Sequence, residues 1–342
     1  MTEMDSYAWN DVEDWGVEGK GWTETLRYYD RLPANAQKTV PEVVWNLSRS
    51  ATGMAAWFET DASAIHARWR LQSTQLGEAN FPVAGFSGLD LYAEDSGKLR
   101  WVGAGHLVKD QQAQQCLVDG MAPVRRRFLC YLPARNPVES VEIGVPKGAF
   151  FRPVPPRTEK PVVFYGSSIV HGAYASHAGM IHPAILGRRL GVPTVNLGFS
   201  GNAKMEIALA NLLGELDARV FVLDALPNMD TTLVRERALA FVRRLRQARP
   251  STPIVMVEDR PLTNWWIKPA TVQSQEEKWR VHREIFQTLT EEGGGPLHYV
   301  EGRSLFGTDA DGSLDSSHPS DLGFSRMADA LEPVLKKALI KP

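Results

Sequence analysis

From Ile65 to Leu71 apolar and polar residues alternate, with Ile65, Ala67, Trp69 and Leu71 set against His66, Arg68 and Arg70. Val141, Ile143 and Val145 repeat the period around Glu142 and Gly144. A two-residue period predicts strands buried on one face, as in antiparallel sheets. Seven of the ten tryptophans, at 9, 15, 22, 45, 57, 69 and 101, fall in this part of the chain, and no long 3.6-residue period runs between them. The expected fold is an all-β sandwich, jelly-roll-like, with most of these rings in its core and Trp69 on the apolar face. Stacking of the rings on sugars is the competing reading.

Past Pro161 the pattern changes to short apolar runs separated by amphipathic stretches, as in a parallel sheet covered on both faces. Strands are predicted over 161–165, 194–197, 219–224, 253–258 and 298–301, and helices over about 180–190, 204–216, 233–248, 273–291 and 321–337. Their alternation predicts a flavodoxin-like, three-layer α/β domain whose ligands bind beyond the carboxyl ends of the strands. Between the two patterns, residues 147–161 carry four prolines, which remove backbone donors and favour extended chain. A linker is expected there, dividing a β-sandwich accessory domain (1–156) from an α/β domain (157–342).

Composition narrows the function. The 342 residues are 43% hydrophobic and 23% charged, as in globular proteins, and the net charge of −2 gives no general attraction for nucleic acid or anionic membrane. No apolar run approaches the ~20 residues of a spanning helix, and the acidic, polar start is unlike a secretory signal. As given, the chain reads as soluble and cytoplasmic, or as secreted or periplasmic if a leader has been removed. Cys116 and Cys130 lack metal-site spacing and are expected to be two buried thiols.

Candidate chemistry lies in the loops after the predicted strands. The first strand runs into Gly166-Ser167-Ser168, where a tight turn and a helix N-terminus expose and favour a nucleophilic serine. The second ends in Gly198-Phe199-Ser200-Gly201 and the third in Leu226-Pro227-Asn228. Glycine amides and an asparagine amide suit an oxyanion hole, although each also suits a turn. Before the last helix comes Asp315-Ser316-Ser317-His318, in which the carboxylate can orient the imidazole if the loop turns between them.

Taken in this order, the four blocks resemble the SGNH hydrolases, the GDSL-type esterase and acyltransferase superfamily, over residues 161–338. Ser168 matches the nucleophile, while Ser167 replaces the name-giving aspartate. Gly201 rather than Gly198 matches the glycine donor. Leu226-Pro227-Asn228 departs from the usual Gly-x-Asn-Asp but retains Asn228, and Asp315 and His318 match the last block. A β-sandwich before the hydrolase domain fits a two-domain subgroup. The resemblance implies a Ser168-His318-Asp315 triad, with an oxyanion hole from the Ser168 and Gly201 amides and Asn228. The implied activity is a serine esterase on small acyl esters, plausibly acetyl groups on carbohydrate, without a cofactor. Acyl transfer to an acceptor other than water is the alternative, and a noncatalytic carbohydrate-binding protein is a third reading. The oligomeric state is left open.

His171, His177 and His182 follow the nucleophile, but His177 and His182 would stand about 140° apart on a helix, so no metal site is assigned and partly exposed or substrate-lining positions are expected. Glu258 and Asp259 are read as polar contacts or caps. Trp265 and Trp266 are substrate-wall candidates, one of them packing inward. The run Arg125-Arg126-Arg127 is read as a solvated strand end.

Overall fold

The computed structural model describes residues 6–106 and 109–340. In the first part lie β1 (Tyr7–Asp11), β2 (Ala55–Thr60), β3 (Ile65–Leu71), β4 (Asp90–Asp95), β5 (Lys98–Ala104), β6 (Gln112–Val118), β7 (Arg126–Tyr131), β8 (Val138–Pro146) and β9 (Phe151–Val154). They make two antiparallel sheets, ordered β1-β8-β3-β6 and β5-β4-β7-β2-β9. The alternation in β3 places Ile65, Ala67, Trp69 and Leu71 against Phe58, Leu91 and Phe128 of the other sheet, forming one sandwich core.

Two details differ from expectation. β9 lies inside the proline-rich stretch read as a linker, pairing with β2 at the edge of its sheet, where Pro153 can lack an amide without breaking a central ladder. Of the seven tryptophans only Trp45, Trp57 and Trp69 are buried; Trp9, Trp15 and Trp22 are half-buried and Trp101 is exposed. An indole can cover apolar surface with one part and meet water with another, so a tryptophan count overstates the core. Cys130 is buried and Cys116 only half-buried, and both are free thiols.

The second part contains β10 (Val162–Gly166), β11 (Thr194–Gly198), β12 (Val220–Asp224), β13 (Ile254–Val257) and β14 (Leu297–Val300). They form one parallel sheet in the order β11-β10-β12-β13-β14, the flavodoxin-like arrangement. The apolar runs of β10 to β13 are buried because helices cover both faces. His182–Leu190 and Asp321–Leu339 lie on one side, and Ile207–Glu215, Thr231–Ala248 and Pro269–Glu291 on the other. No helix among the described residues is long and apolar enough to cross a membrane.

The two parts share a core. Leu32, Ala36, Val40, Val44 and Trp45 pack with the helices and strands of the α/β part rather than with the sandwich. Arg31 goes with them. It is wholly buried, and every guanidinium nitrogen donates: Nε to Ser50 O (2.9 Å), Nη1 to Asn196 O (3.0 Å) and Gly198 O (2.9 Å), Nη2 to Leu47 O (2.7 Å) and Ser50 Oγ (3.2 Å). Burial, aided by Arg135, pulls its pKa down to about 9, so it stays charged at neutral pH with carbonyl dipoles in place of water.

Candidate active site

The site forms where the parallel strands end. β10 closes on Gly166, where a Cβ would stand 2.4 Å from the Asp224 carbonyl oxygen. Ser167 N donates to that oxygen (3.1 Å), and Ser167 Oγ caps the short helix Ser168–His171 by accepting from Ile169 N (3.3 Å). The residue that departs from the family aspartate is thus the helix cap. Ser168 becomes the first helical residue, half-buried, with an amide that has no intrahelical acceptor.

Ser168 Oγ lies 2.9 Å from His318 Nε2, and His318 Nδ1 lies 2.7 Å from Asp315 Oδ2. The three-residue spacing closes because Asp315 Oδ1 accepts the amides of Ser317 (2.9 Å) and His318 (2.7 Å), while Ser316 turns the chain at φ 71°. A carboxylate at Nδ1 keeps the ring proton there, leaving the Nε2 lone pair for the serine hydroxyl. Burial opposes ionisation of Asp315, but these hydrogen bonds outweigh it and hold the carboxyl below its ordinary range. The Tyr174 ring stands edge-on to His318 at 4.8 Å, on a backbone held at φ 73°.

Gly198 and Gly201 have different roles. At Gly198 a Cβ would meet His171 N at 2.1 Å, so this glycine serves close packing. Gly201 has φ 72° and open space around it, and among the described residues its amide donates to no acceptor. Asn228 Oδ1 accepts Ala203 N (3.2 Å), which orients the side-chain amide and leaves Nδ2 without an internal partner. Ser168 N, Gly201 N and Asn228 Nδ2 are therefore three unused donors on loops at the same end of the sheet.

Sequence reasoning missed Arg260. It is buried, and its Nε and Nη2 donate to Ser317 O (2.8 Å) and Ser317 Oγ (2.7 Å), while Thr263 N donates to Ser316 O (2.9 Å). The loop after β13 thereby grips the loop that carries Asp315 and His318. The one available sign was a block of three charged residues, 258–260, ending a buried apolar run. Its carboxylates are anchors: Glu258 accepts from Gly302 N, Tyr299 Oη and Arg283, and Asp259 from Gln275, Lys278 and Trp279.

The remaining candidates are placed elsewhere. Trp265 packs against Trp279 with Arg303 over both rings, and Trp266 is 73% exposed beside Thr231 and Pro269. No ring contact or hydrogen bond joins either tryptophan to Ser168, Asp315 or His318. His171 and His182, expected to be partly exposed or substrate-lining, are buried, on the two helices that follow Ser168. His182 lies 3.8 Å from Asp224 between Phe164 and Phe324. Burial raises the Asp224 carboxyl to about 8 and lowers His182 to about 3, so both are neutral at pH 7. His177 is half-buried and bonds Asp90 (2.7 Å), which also accepts Trp101 Nε1 (2.8 Å) and Gly179 N (2.7 Å). Among the described residues no cluster of three or more His, Cys, Asp or Glu could hold a metal ion.

Comparison with known proteins agrees with this geometry. The GDSL-like Lipase/Acylhydrolase family profile matches residues 159–336, and the profile for the N-terminus of SGNH-hydrolase-type esterases, GxDLY, matches residues 7–151. Gly88 to Tyr92 read Gly-Leu-Asp-Leu-Tyr, and the aspartate is the Asp90 just described. Comparison with curated proteins gives no match. Among solved structures, a GDSL-like lipase candidate from Bacteroides ovatus ATCC 8483 is 32% identical, covers 97% of this chain and 98% of its own, and superposes with a TM-score of 0.92. The salicylyl-acyltransferase SsfX3 of a tetracycline biosynthetic pathway shares the fold at 19% identity, with 98% and 96% coverage and a TM-score of 0.74. A family two carbohydrate esterase from Cellvibrio japonicus does so at 13% identity, 98% coverage of both chains and a TM-score of 0.63. From its parallel sheet, its four strand-end blocks and these matches, the chain belongs to the GDSL-like lipase/acylhydrolase family, preceded by the N-terminal region of SGNH-type esterases.

Proposed function

We propose that the protein is a serine esterase that cleaves small acyl esters through an acyl-enzyme. The observation that carries the reading is the continuous line of hydrogen bonds from Ser168 Oγ through His318 to Asp315, with three unused N–H donors on the neighbouring loops. His318 Nε2 takes the Ser168 proton as Oγ attacks the ester carbonyl. The oxyanion of the tetrahedral intermediate receives N–H bonds from Ser168, Gly201 and Asn228. His318 then protonates the leaving alcohol. Water, deprotonated by the same imidazole, attacks the acyl-enzyme and releases the acid. Asp315 keeps the ring proton on Nδ1 throughout. In this reading the chain divides near residue 156, and the N-terminal part shapes one wall of the cleft.

The acyl group is proposed to be acetyl or similarly small and the alcohol a carbohydrate, a choice supported by the carbohydrate esterases among the structures that share the fold. The salicylyl-acyltransferase among them favours a second reading, in which the same acyl-enzyme passes its acyl group to an alcohol. Hydrolysis of 4-nitrophenyl acetate and longer acyl analogues by wild type and Ser168→Ala tests the chemistry. Activity is expected to vanish in the variant, and activity that survives in it removes the mechanism. Adding a sugar alcohol and measuring free acid against acylated sugar separates hydrolase from transferase.

A further inference from the structure

Arg135 follows β7 in the N-terminal part and crosses to the α/β part, where its Nη1 donates to Ser200 Oγ (3.2 Å) and lies 3.4 Å from His171 Nδ1. The Ser200 hydroxyl lies 3.1 Å from His171 Nδ1, and His171 Nε2 lies 2.9 Å from Ser50 Oγ. Burial, with Arg31 and Arg135 close by, holds His171 neutral. This relay therefore contains no anion. No carboxylate stands within ion-pair distance of Arg135 among the described residues, and Glu78 reaches it only through its longer-range field.

Arg31 shows what a purely structural guanidinium looks like here, with all nitrogens bonded and none reaching water. Arg135 differs. Its Nε and Nη2 have no hydrogen-bond partner among the described residues, and the residue is half-buried, so this edge is neither paired nor fully sealed from solvent. Nε–H and Nη2–H together form the planar fork that fits a carboxylate. Arg135 is tied to the site on two sides. Ser200 precedes Gly201, and the Arg135 loop bonds to Phe86 O in the stretch that carries Phe81 against Tyr174 (6.2 Å), which in turn stands against His318.

We propose that Arg135 receives a carboxylate of the substrate, so that the N-terminal part selects esters bearing a negative charge near the reacting carbonyl. The proposal rests on the esterase reading. The charge can belong to the acyl group or to the alcohol, and paired probes distinguish them. 4-Nitrophenyl hemiglutarate against its methyl ester places it on the acyl side, and 4-acetoxybenzoate against its methyl ester places it on the alcohol side. For one pair, the ratio of kcat/KM for the charged over the neutral ester is expected to fall roughly 10-fold to 100-fold in Arg135→Met, with Arg135→Lys, which keeps the charge but not the fork, in between. Glu78→Gln, which removes the competing field, is expected to raise the ratio. Equal ratios in wild type and Arg135→Met for both pairs overturn the proposal.

A measurement without turnover separates this from failure of the esterase reading. In Ser168→Ala protein titrated with the same two carboxylates, one is expected to bind, and the added Arg135→Met to weaken it by a similar factor. Binding of neither, or binding indifferent to Arg135, overturns the proposal. If wild type turns over no ester, the esterase reading falls and the titration alone decides the role of Arg135.

Discussion

Arg260→Met tests whether the loop after β13 holds His318, the proposed general base, in place. Arg260 is 5% exposed; it makes two hydrogen bonds to Ser317 and faces Asp259 at 4.0 Å, with the charge of Asp315 within its field. Methionine fills much of the volume but leaves Ser317 O and Oγ without these donors. Removing one member of such a buried charged cluster is expected to cost about 3 to 5 kcal/mol of stability. The kinetic effect follows from position. Ser317 adjoins His318, whose Nε2 is 2.9 Å from Ser168 Oγ, and a ~1 Å misplacement of a catalytic group lowers the rate roughly 10²-fold. The loss should appear in kcat with KM little changed, because the guanidinium bonds the backbone behind the imidazole rather than the substrate. The assay is 4-nitrophenyl acetate hydrolysis well below the variant's Tm, with Arg260→Lys alongside to retain the charge. A folded Arg260→Met whose kcat stays within about threefold of wild type refutes the positioning argument, as does a defect confined to KM.

Three further outcomes follow from the same geometry. Asn228→Ala should lower kcat roughly 10²-fold to 10³-fold by removing one oxyanion donor, and steady-state kinetics showing only a KM effect would exclude that role. Gly198→Ala should prevent stable folding, because its Cβ would stand 2.1 Å from His171 N, whereas Gly201→Ala enters open space at φ 72° and should cost only about 1 to 2 kcal/mol while keeping its amide; thermal melts of the two compare them directly. Asp224 has its folded-state pKa raised to about 8, so from about pH 4 upward the unfolded chain releases a proton that the folded protein retains. The contribution of this group to stability should fall with rising pH up to about 8, by up to about 1.4 kcal/mol per pH unit, and Asp224→Asn should remove it, making the pH slope in urea unfolding less negative; identical slopes would show that Asp224 ionises freely.

The parallel sheet was legible because β10, β12 and β13 are apolar runs with turns after them, and the sandwich because β3 alternates without exception. The hydrogen-bonded line from Ser168 through His318 to Asp315 was legible for a related reason: strand ends fix where a short loop residue must sit, and Asp315 and His318 are close enough in sequence for local turn chemistry to join them. Leu32 to Trp45 carry no such mark, since nothing in their spacing shows that their apolar face is completed by helices some 170 residues later, as in the pairing of Trp22 Nε1 with Glu215, 193 positions away. Arg260 and Arg135 were missed for that reason too. Each acts on a loop distant in sequence, and a lone arginine after a strand looks the same whether it meets water or a backbone carbonyl. Trp265 and Trp266 were legible only as an apolar pair of which one packs inward; that Trp265 does so against Trp279, on the helix that follows, was not marked in the loop itself.

Arg31 bears on how a protein of this kind can be rebuilt. An exchange that brings in an N-terminal half with no arginine at this place would leave the Asn196 and Gly198 carbonyls around a vacancy shaped for a guanidinium that no longer arrives. Such recombinants would fail at the end of β11, the strand that leads to Gly201, before any question of substrate arose. New specificities are therefore more accessible by remodelling the loop that carries Phe81 and Arg135's neighbours than by trading whole modules, and engineers should graft loops onto an intact pair of halves rather than splice at the seam.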